Sequence, residues 1–525
     1  VSLTTLEIGT LGLYLGVVLA IGFFSGRKGR QSTADYFLAG RGLPWYVIGF
    51  SMIAASISSE QFIGEVGWGY KYGLAVANWE WLVWPAQAIL LAVFLPIYLR
   101  NRIFTVPEFL TRRFGRTAGT TFSVVCIVQY LVINLPLVLY SGGFLINRIF
   151  GLDVALAIWL LVAIAGSYTI FGGLSSAAWV DLFNGALLIG GGLLVFVLGL
   201  LAVPGGLADV VGTGERSHLI LPASHPDLPW TGILAVAFVM SGYYYSTNQY
   251  ITQRCLGAKS HWHGKMGIVL AAFLAIPLGL GVTFPGLIAR ALNPGLPHPD
   301  GAYPYLVGRV IPVGLRGVVF AVLLGAIIST VDSLVNAASS LLTLDIYKGV
   351  FRRQAAEARL VRIGQATGTL FLVFGALWAP MVGRFGSIFS YAQDSWALML
   401  APLMAAFLLA VFWKRMSSKA AVAALALAVP MLVLVYLRQF AGVLARFNIF
   451  NLSGLIFIIS IGIIGIVSYL TPAPDPERLR TTLWRRGMTR LPAEETAGGY
   501  PWWKRVSFWF GLVVLAFVII YAVFW

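Results

Sequence analysis

Charge is scarce in this chain. Asp, Glu, Lys and Arg make up only 11% of its 525 residues, against roughly 25% in soluble domains, while 59% are hydrophobic. That excludes a soluble enzyme or binding domain and describes a chain that crosses a bilayer many times. Cysteine is nearly absent. Cys126 and Cys255 both sit in or at the end of apolar runs and give no disulfide framework. Histidine numbers five, none inside a span, and the His261/His263 pair reads as a polar loop rather than a metal centre. No H-E-x-x-H or G-x-S-x-G string occurs, so an intramembrane enzyme has no evident metal or nucleophile and the chain is read as a non-enzyme.

What is present is a series of apolar runs. They cover about fourteen stretches: 4–24, 44–66, 74–99, 118–147, 153–172, 178–203, 230–253, 265–289, 314–345, 363–383, 388–412, 420–438, 448–470 and 506–525. Each is near the ~20 residues a transmembrane helix needs. The first has no basic stretch ahead of it and no cleavage-like site after it, and is read as a retained helix. The net charge of +16 would suit a nucleic-acid partner, but its distribution does not. With loops on alternating sides, 27 of the 36 Lys and Arg fall on one side and 9 on the other. The positive-inside rule then puts both termini outside and makes the basic charge topological.

Polar residues at mid-span carry the functional signal. Ser51–Gly67, SMIAASISSEQFIGEVG, places Ser56, Ser58, Ser59, Glu60 and Gln61 at bilayer depth. A carboxylate there costs ~2.5–3.5 kcal/mol on insertion scales, so these groups face protein, water, an ion or a solute. A polar seam between helices is the bland explanation; a solute or ion site explains the carboxylate and amide together. A second such stretch, Ser241–Gln249, reads SGYYYSTNQ and suggests a second broken helix. The two would open halves of five spans each, 44–203 and 230–412. An odd count inverts one half relative to the other. Around them lie 1–43 (a first peripheral helix and inside loop), the outer loop 204–229, two peripheral helices in 413–470, the inside linker 471–503 and a last helix, 504–525.

The run 314–345 carries Ala326, Ser329, Thr330 and Ser333 at i, i+3, i+4 and i+7, one helix face. Such a stripe serves close packing or a hard monovalent cation, the latter taking hydroxyls from Ser329 and Thr330 and carbonyls freed near Ala54 and Ile57. Asp181 and Asp332 are read as carboxylates without an in-span Lys or Arg. They are either protonated or close to a cation.

The strings SMIAASISSEQFIG, Glu80–Trp81, TVPEFLTRRFG, FGGLSSAAWVD, NQYITQRCLGAKS and AIISTVDSLVNAASSLLTLDIY occur in an order that resembles the sodium/solute symporter family, most closely its bacterial sodium/sugar cotransporters. The likeness runs over about 34–420. It implies an all-α polytopic protein with a five-plus-five inverted-repeat (LeuT-like) core whose repeats each open on a discontinuous helix. It also implies Na+ at backbone oxygens of Ala54, Ile57 and Ala326 and hydroxyls of Ser329 and Thr330, and a second cation near Asp181, Asp332 and Ser333. Solute positions would be Ser56, Gln61, Glu80, Val83, Ser241, Tyr244, Ala275 and Gln393. Glu65, Trp79 and Phe389 would form an outer gate and Tyr244 an inner one. The sugar pattern is incomplete: amides are expected where Ser56 and Ser241 stand, a hydroxyl at Val83, a lysine at Ala275 and an apolar residue at Glu65. Expected partners are sodium, a small solute and the lipid bilayer, with no nucleic acid. The solute is read as a sugar or polyol, with a small organic acid or amino-acid-like solute as alternative and a transporter-like sensor as a remote one.

Overall fold

The computed structural model describes residues 4–27, 32–384, 388–496 and 500–525, without the side chains of 388–390 and 440. Lys28 and Arg30, counted on the basic side, and the Phe389 side chain lie outside the described residues. Besides short loop helices such as Val106–Phe114 and Ala302–Val310, the helices are α1 (Thr5–Gly26), α2 (Trp45–Ser56), α3 (Gln61–Tyr72), α4 (Leu74–Arg100), α5 (Arg116–Phe150), α6 (Val154–Leu201), α7 (230–246), α8 (Gln249–Leu256), α9 (His261–Leu292) and α10 (Leu315–Phe351). They continue with α11 (Glu357–Arg384), α12 (Ile388–Phe412), α13 (Ser418–Gln439), α14 (Ile449–Leu470) and α15 (Val506–Val523).

By length and composition, eleven described helices can cross a membrane, or twelve if α2 and α3 form one bent span. The expected fourteen is therefore larger than this count. One reason lies in α6, a single run broken at Gly173, which separates the arms 154–172 and 174–201. Gly173 has φ 59° and ψ −149°, and a Cβ there would lie 2.2 Å from the Tyr36 carbonyl oxygen. Only glycine suits both the left-handed backbone and that approach. Another is α7, which is too short to be counted alone.

The core sits around α10, whose apolar window is 89% buried, against 17% for α1 and α15 and 33% for α13 and α14. The first and the last three helices, expected to be peripheral, are the least buried of the described spans. Hydrogen bonds sort the loops onto two faces. Arg41 donates to the Arg102 carbonyl (2.9 Å), Asn101 to Thr481 (2.9 Å), Trp262 to Lys504 (2.7 Å) and Arg415 to Thr471 (2.9 Å). At the opposite face Arg216 donates to Lys71 (2.6 Å), Tyr70 to Asn293 (3.0 Å), Asn448 to Asp227 (2.9 Å) and the Leu219 N–H to Phe524 (2.8 Å).

Candidate functional site

The polar stretch at Ser51–Gly67 is a break in the helix. α2 ends at Ser56, Ile57 is extended (φ −113°, ψ 128°), and α3 departs at 64°. Such a break leaves backbone groups without intrahelical partners, which the protein must satisfy. Gln61 does part of this, its amide donating to the Ser56 carbonyl (3.1 Å) and accepting from the Ser58 N–H (2.9 Å). Ser59 reaches Ser141 on α5 at 2.6 Å. The side of α10 predicted to carry the stripe faces the break. The Thr330 hydroxyl lies 3.2 Å from the Ile57 carbonyl oxygen, 3.4 Å from that of Ala55 and 3.1 Å from that of Ala326. Ser329 is fully buried and accepts from the Asn184 amide of α6 at 2.8 Å. Ala54, Ile57 and Ala326 are buried around them. Hydroxyl and carbonyl oxygens thus converge where a helix is unwound, a donor set suited to a hard cation.

The second stretch is broken as well. Thr247 (φ −133°) and Asn248 (φ −72°, ψ 123°) separate α7 from α8. Tyr98 donates to the freed Ser246 carbonyl (3.3 Å), and Asn248 accepts from Tyr130 (2.5 Å).

Between the two breaks lies a cavity of about 90 Å³. At roughly 10–15 Å³ per water centre, that is room for several waters or a small polar solute. Of the expected solute residues, Ser56, Gln61, Glu80, Val83, Ser241, Tyr244 and Gln393 line it, as does Trp79 of the expected outer gate. Tyr250 donates to the Tyr244 hydroxyl (2.6 Å), closing the side towards α8. Ala275, expected among the solute residues, is fully buried and not on the wall. Glu65, expected at the outer gate, is fully buried and accepts from the Thr283 hydroxyl at 2.7 Å. Glu60, the carboxylate of the first polar stretch, also lines the cavity, as does Asn134, for which no site role was expected. Asn134 belongs to the run 118–147, which reads as featureless. Its signal was an amide at mid-span just ahead of Leu135–Pro136. The Asn134 Oδ1 and Gln393 Oε1 atoms are buried without a protein partner, so both can accept from solute hydroxyls.

The reading of Asp181 as lacking a cationic partner is also corrected. Arg254, counted among the loop cations, is fully buried and donates to Asp181 at 3.0 Å and to Ser51 at 2.7 Å. It also bonds Ser333 and the Tyr250 carbonyl. A guanidinium thus stands beside Asp181 and Ser333, two of the residues named for a possible second cation. Asp332, bonded by Tyr168 at 2.6 Å, borders this network. His261 and His263 stand at the start of α9, not in a loop.

The model of the sodium:solute symporter family matches residues 36–428. The chain is 35% identical to the sodium/glucose cotransporter of Vibrio parahaemolyticus over 460 residues, 82% of this chain and 84% of that one. It is 30% identical to the sodium/myo-inositol cotransporter of Bos taurus over 548 residues, 91% of this chain and 75% of that one. Among solved structures it resembles a Na+-coupled sialic acid symporter in a substrate-bound outward-open state, with a TM-score of 0.77 at 20% identity, covering 90% of this chain and 99% of that one. The nucleobase-cation-symport-1 transporter Mhp1 in a closed conformation matches at a TM-score of 0.53 and 17% identity, covering 86% and 98%. These neighbours share the all-α, LeuT-like architecture expected from the sequence.

Proposed function

Because this chain belongs to the sodium:solute symporter family, we propose that it moves a sugar or polyol into the cell by sodium-driven alternating access. Sodium binds the carbonyl oxygens of Ala54, Ile57 and Ala326 and the hydroxyls of Ser329 and Thr330. The observation that carries this is the Thr330 hydroxyl poised over the unwound Ile57 carbonyl (3.2 Å) and its own helix's Ala326 carbonyl (3.1 Å). An ion there ties α10 to the α2–α3 break, and the state that closes this gap is the one sodium favours. The solute occupies the cavity beside the break, with Gln393, Asn134 and Glu80 taking its hydroxyls and Tyr244 restraining its exit inward. Ser56 and Ser241 complete the polar wall, and Trp79 stands on the outer side. Names of relatives support glucose or myo-inositol as first solutes to try. The alternative of a small organic acid is disfavoured by the wall itself, which carries Glu60 and Glu80 but no Lys, Arg or His among the described residues. The chain sits in a bacterial cytoplasmic membrane with both termini outside, and acts as a transporter rather than an enzyme.

Uptake of labelled glucose and myo-inositol into proteoliposomes tests this. An inward sodium gradient should drive accumulation and a potassium gradient should not. The double variant Ser329→Ala/Thr330→Ala should lose sodium stimulation at least tenfold. Undiminished stimulation in that variant would refute the ion assignment.

A further inference from the structure

Glu65 and Gln61 are four residues apart and share one face of α3. Gln61 meets the cavity and staples the helix break. Glu65, one turn further on, is fully buried. Its Oε1 accepts from the Thr283 hydroxyl of α9 at 2.7 Å, and its Oε2 is buried with no hydrogen-bond partner. Glu80 of α4, itself 6% exposed and on the cavity wall, faces it closely enough for the two carboxylates to interact. Neither acid forms an ion pair among the described residues, and no Lys, Arg or His acts on either. Among the described residues the phenol Tyr245 of α7 also faces the pair.

Two facing carboxylates in a membrane interior, one with an orphaned oxygen, repel each other at low dielectric. A neutral sugar in the cavity can donate to Glu80 but cannot reach Glu65, which lies off the wall. A small cation, or a proton shared by the two, removes that repulsion. We propose that Glu65, Glu80 and Thr283 form a second site for one monovalent cation, separate from the site at the helix break and bound together with the solute. The ligands are all oxygens, two carboxylates and a hydroxyl, which fits a hard cation. Glu80 belongs to both sites, so the cation neutralises the carboxylate that the solute touches. The two ligands then assist each other's binding. Sodium and a proton are the two sources of this charge. The coupling to solute rests on the transport reading above; the site itself does not.

Equilibrium binding of radiolabelled sodium to purified protein in detergent tests the site without any solute. If sodium is the ion, the wild type binds two per chain. Glu65→Gln and Thr283→Val then bind one, and Ser329→Ala/Thr330→Ala also binds one. If the proton is the ion, sodium binding in Glu65→Gln equals that of the wild type. Adding glucose or myo-inositol to weakly buffered wild-type protein then takes up one proton per chain, and Glu65→Gln takes up none. Retained sodium binding at the break reports that Glu65→Gln is folded. The proposal is overturned if Glu65→Gln changes neither the sodium count nor proton uptake. Loss of one sodium in Glu65→Gln with none lost in Ser329→Ala/Thr330→Ala would instead overturn the assignment at the break and leave this one standing.

Discussion

Arg254 and Asp181 are both fully buried, 3.0 Å apart, in the interior of the helix bundle. Removing one partner of such a pair leaves an uncompensated charge and costs on the order of 3–5 kcal/mol, whereas removing both is often near neutral. Arg254→Met should therefore lower the thermal midpoint in detergent markedly, and Arg254→Met with Asp181→Asn should regain much of it. Equal stability of Arg254→Met and the wild type would mean the pair carries no structural weight. The sequence made Arg254 look like a loop cation because the apolar run ends near Gln253. The break at Thr247–Asn248 instead turns α8 back against the protein, where Tyr250 and Ser333 receive the guanidinium. Ser329 and Thr330 were legible because a helical period puts hydroxyls on one face wherever that face points. The role of Gln61 was not. A side chain that staples a backbone break and one that waits for solute have the same spacing in the sequence.

Breaks and docked ends are what helices add to this. Both interrupted helices could be read from runs of Ser, Gln, Glu and Asn at bilayer depth, since lipid cannot satisfy such groups. What could not be read is the cap on α9. That helix presents free N–H groups at its start, and Glu495 of the linker accepts from His261 (2.9 Å) and Trp262 (2.8 Å), with the His261 ring 3.0 Å away. Partial burial alone would raise the Glu495 carboxyl. The N–H groups of Trp262 and His261 outweigh it and hold the carboxyl below its ordinary value, as expected for an acid at a helix N-terminus. A group depressed in the docked state binds its proton more readily when released. The linker should therefore stay docked above the ordinary glutamate range and detach as pH falls through the lowered value. Limited proteolysis between 471 and 503 should be slow at neutral pH and accelerate in acid. Glu495→Gln should be cleaved faster already at neutral pH, with little further change on acidification. A wild-type rate that does not respond to pH would refute the docking role.

At the scale of the whole molecule, the partition of loops was legible from charge alone. The contacts agree with it: 100–116, 471–503 and the start of α9 share one face, while 204–229, the turn after α3 and the C-terminal end of α15 share the other. The count of spans was less legible, because an apolar run cannot reveal that α6 passes through Gly173 or that α7 stops short. Contacts group loops but do not say which group faces the cytoplasm; the excess of Lys and Arg does, because translocating basic loops is disfavoured. The linker face is therefore expected inside and the 204–229 face outside. Cys126 and Cys255 are both fully buried, so labelling of the wild type by a membrane-impermeant maleimide should be near background. Glu215 and Glu477 are exposed on opposite faces. Glu215→Cys should label in intact cells, and Glu477→Cys only after the membrane is opened. The reverse pattern would refute the assignment of the linker face to the inside.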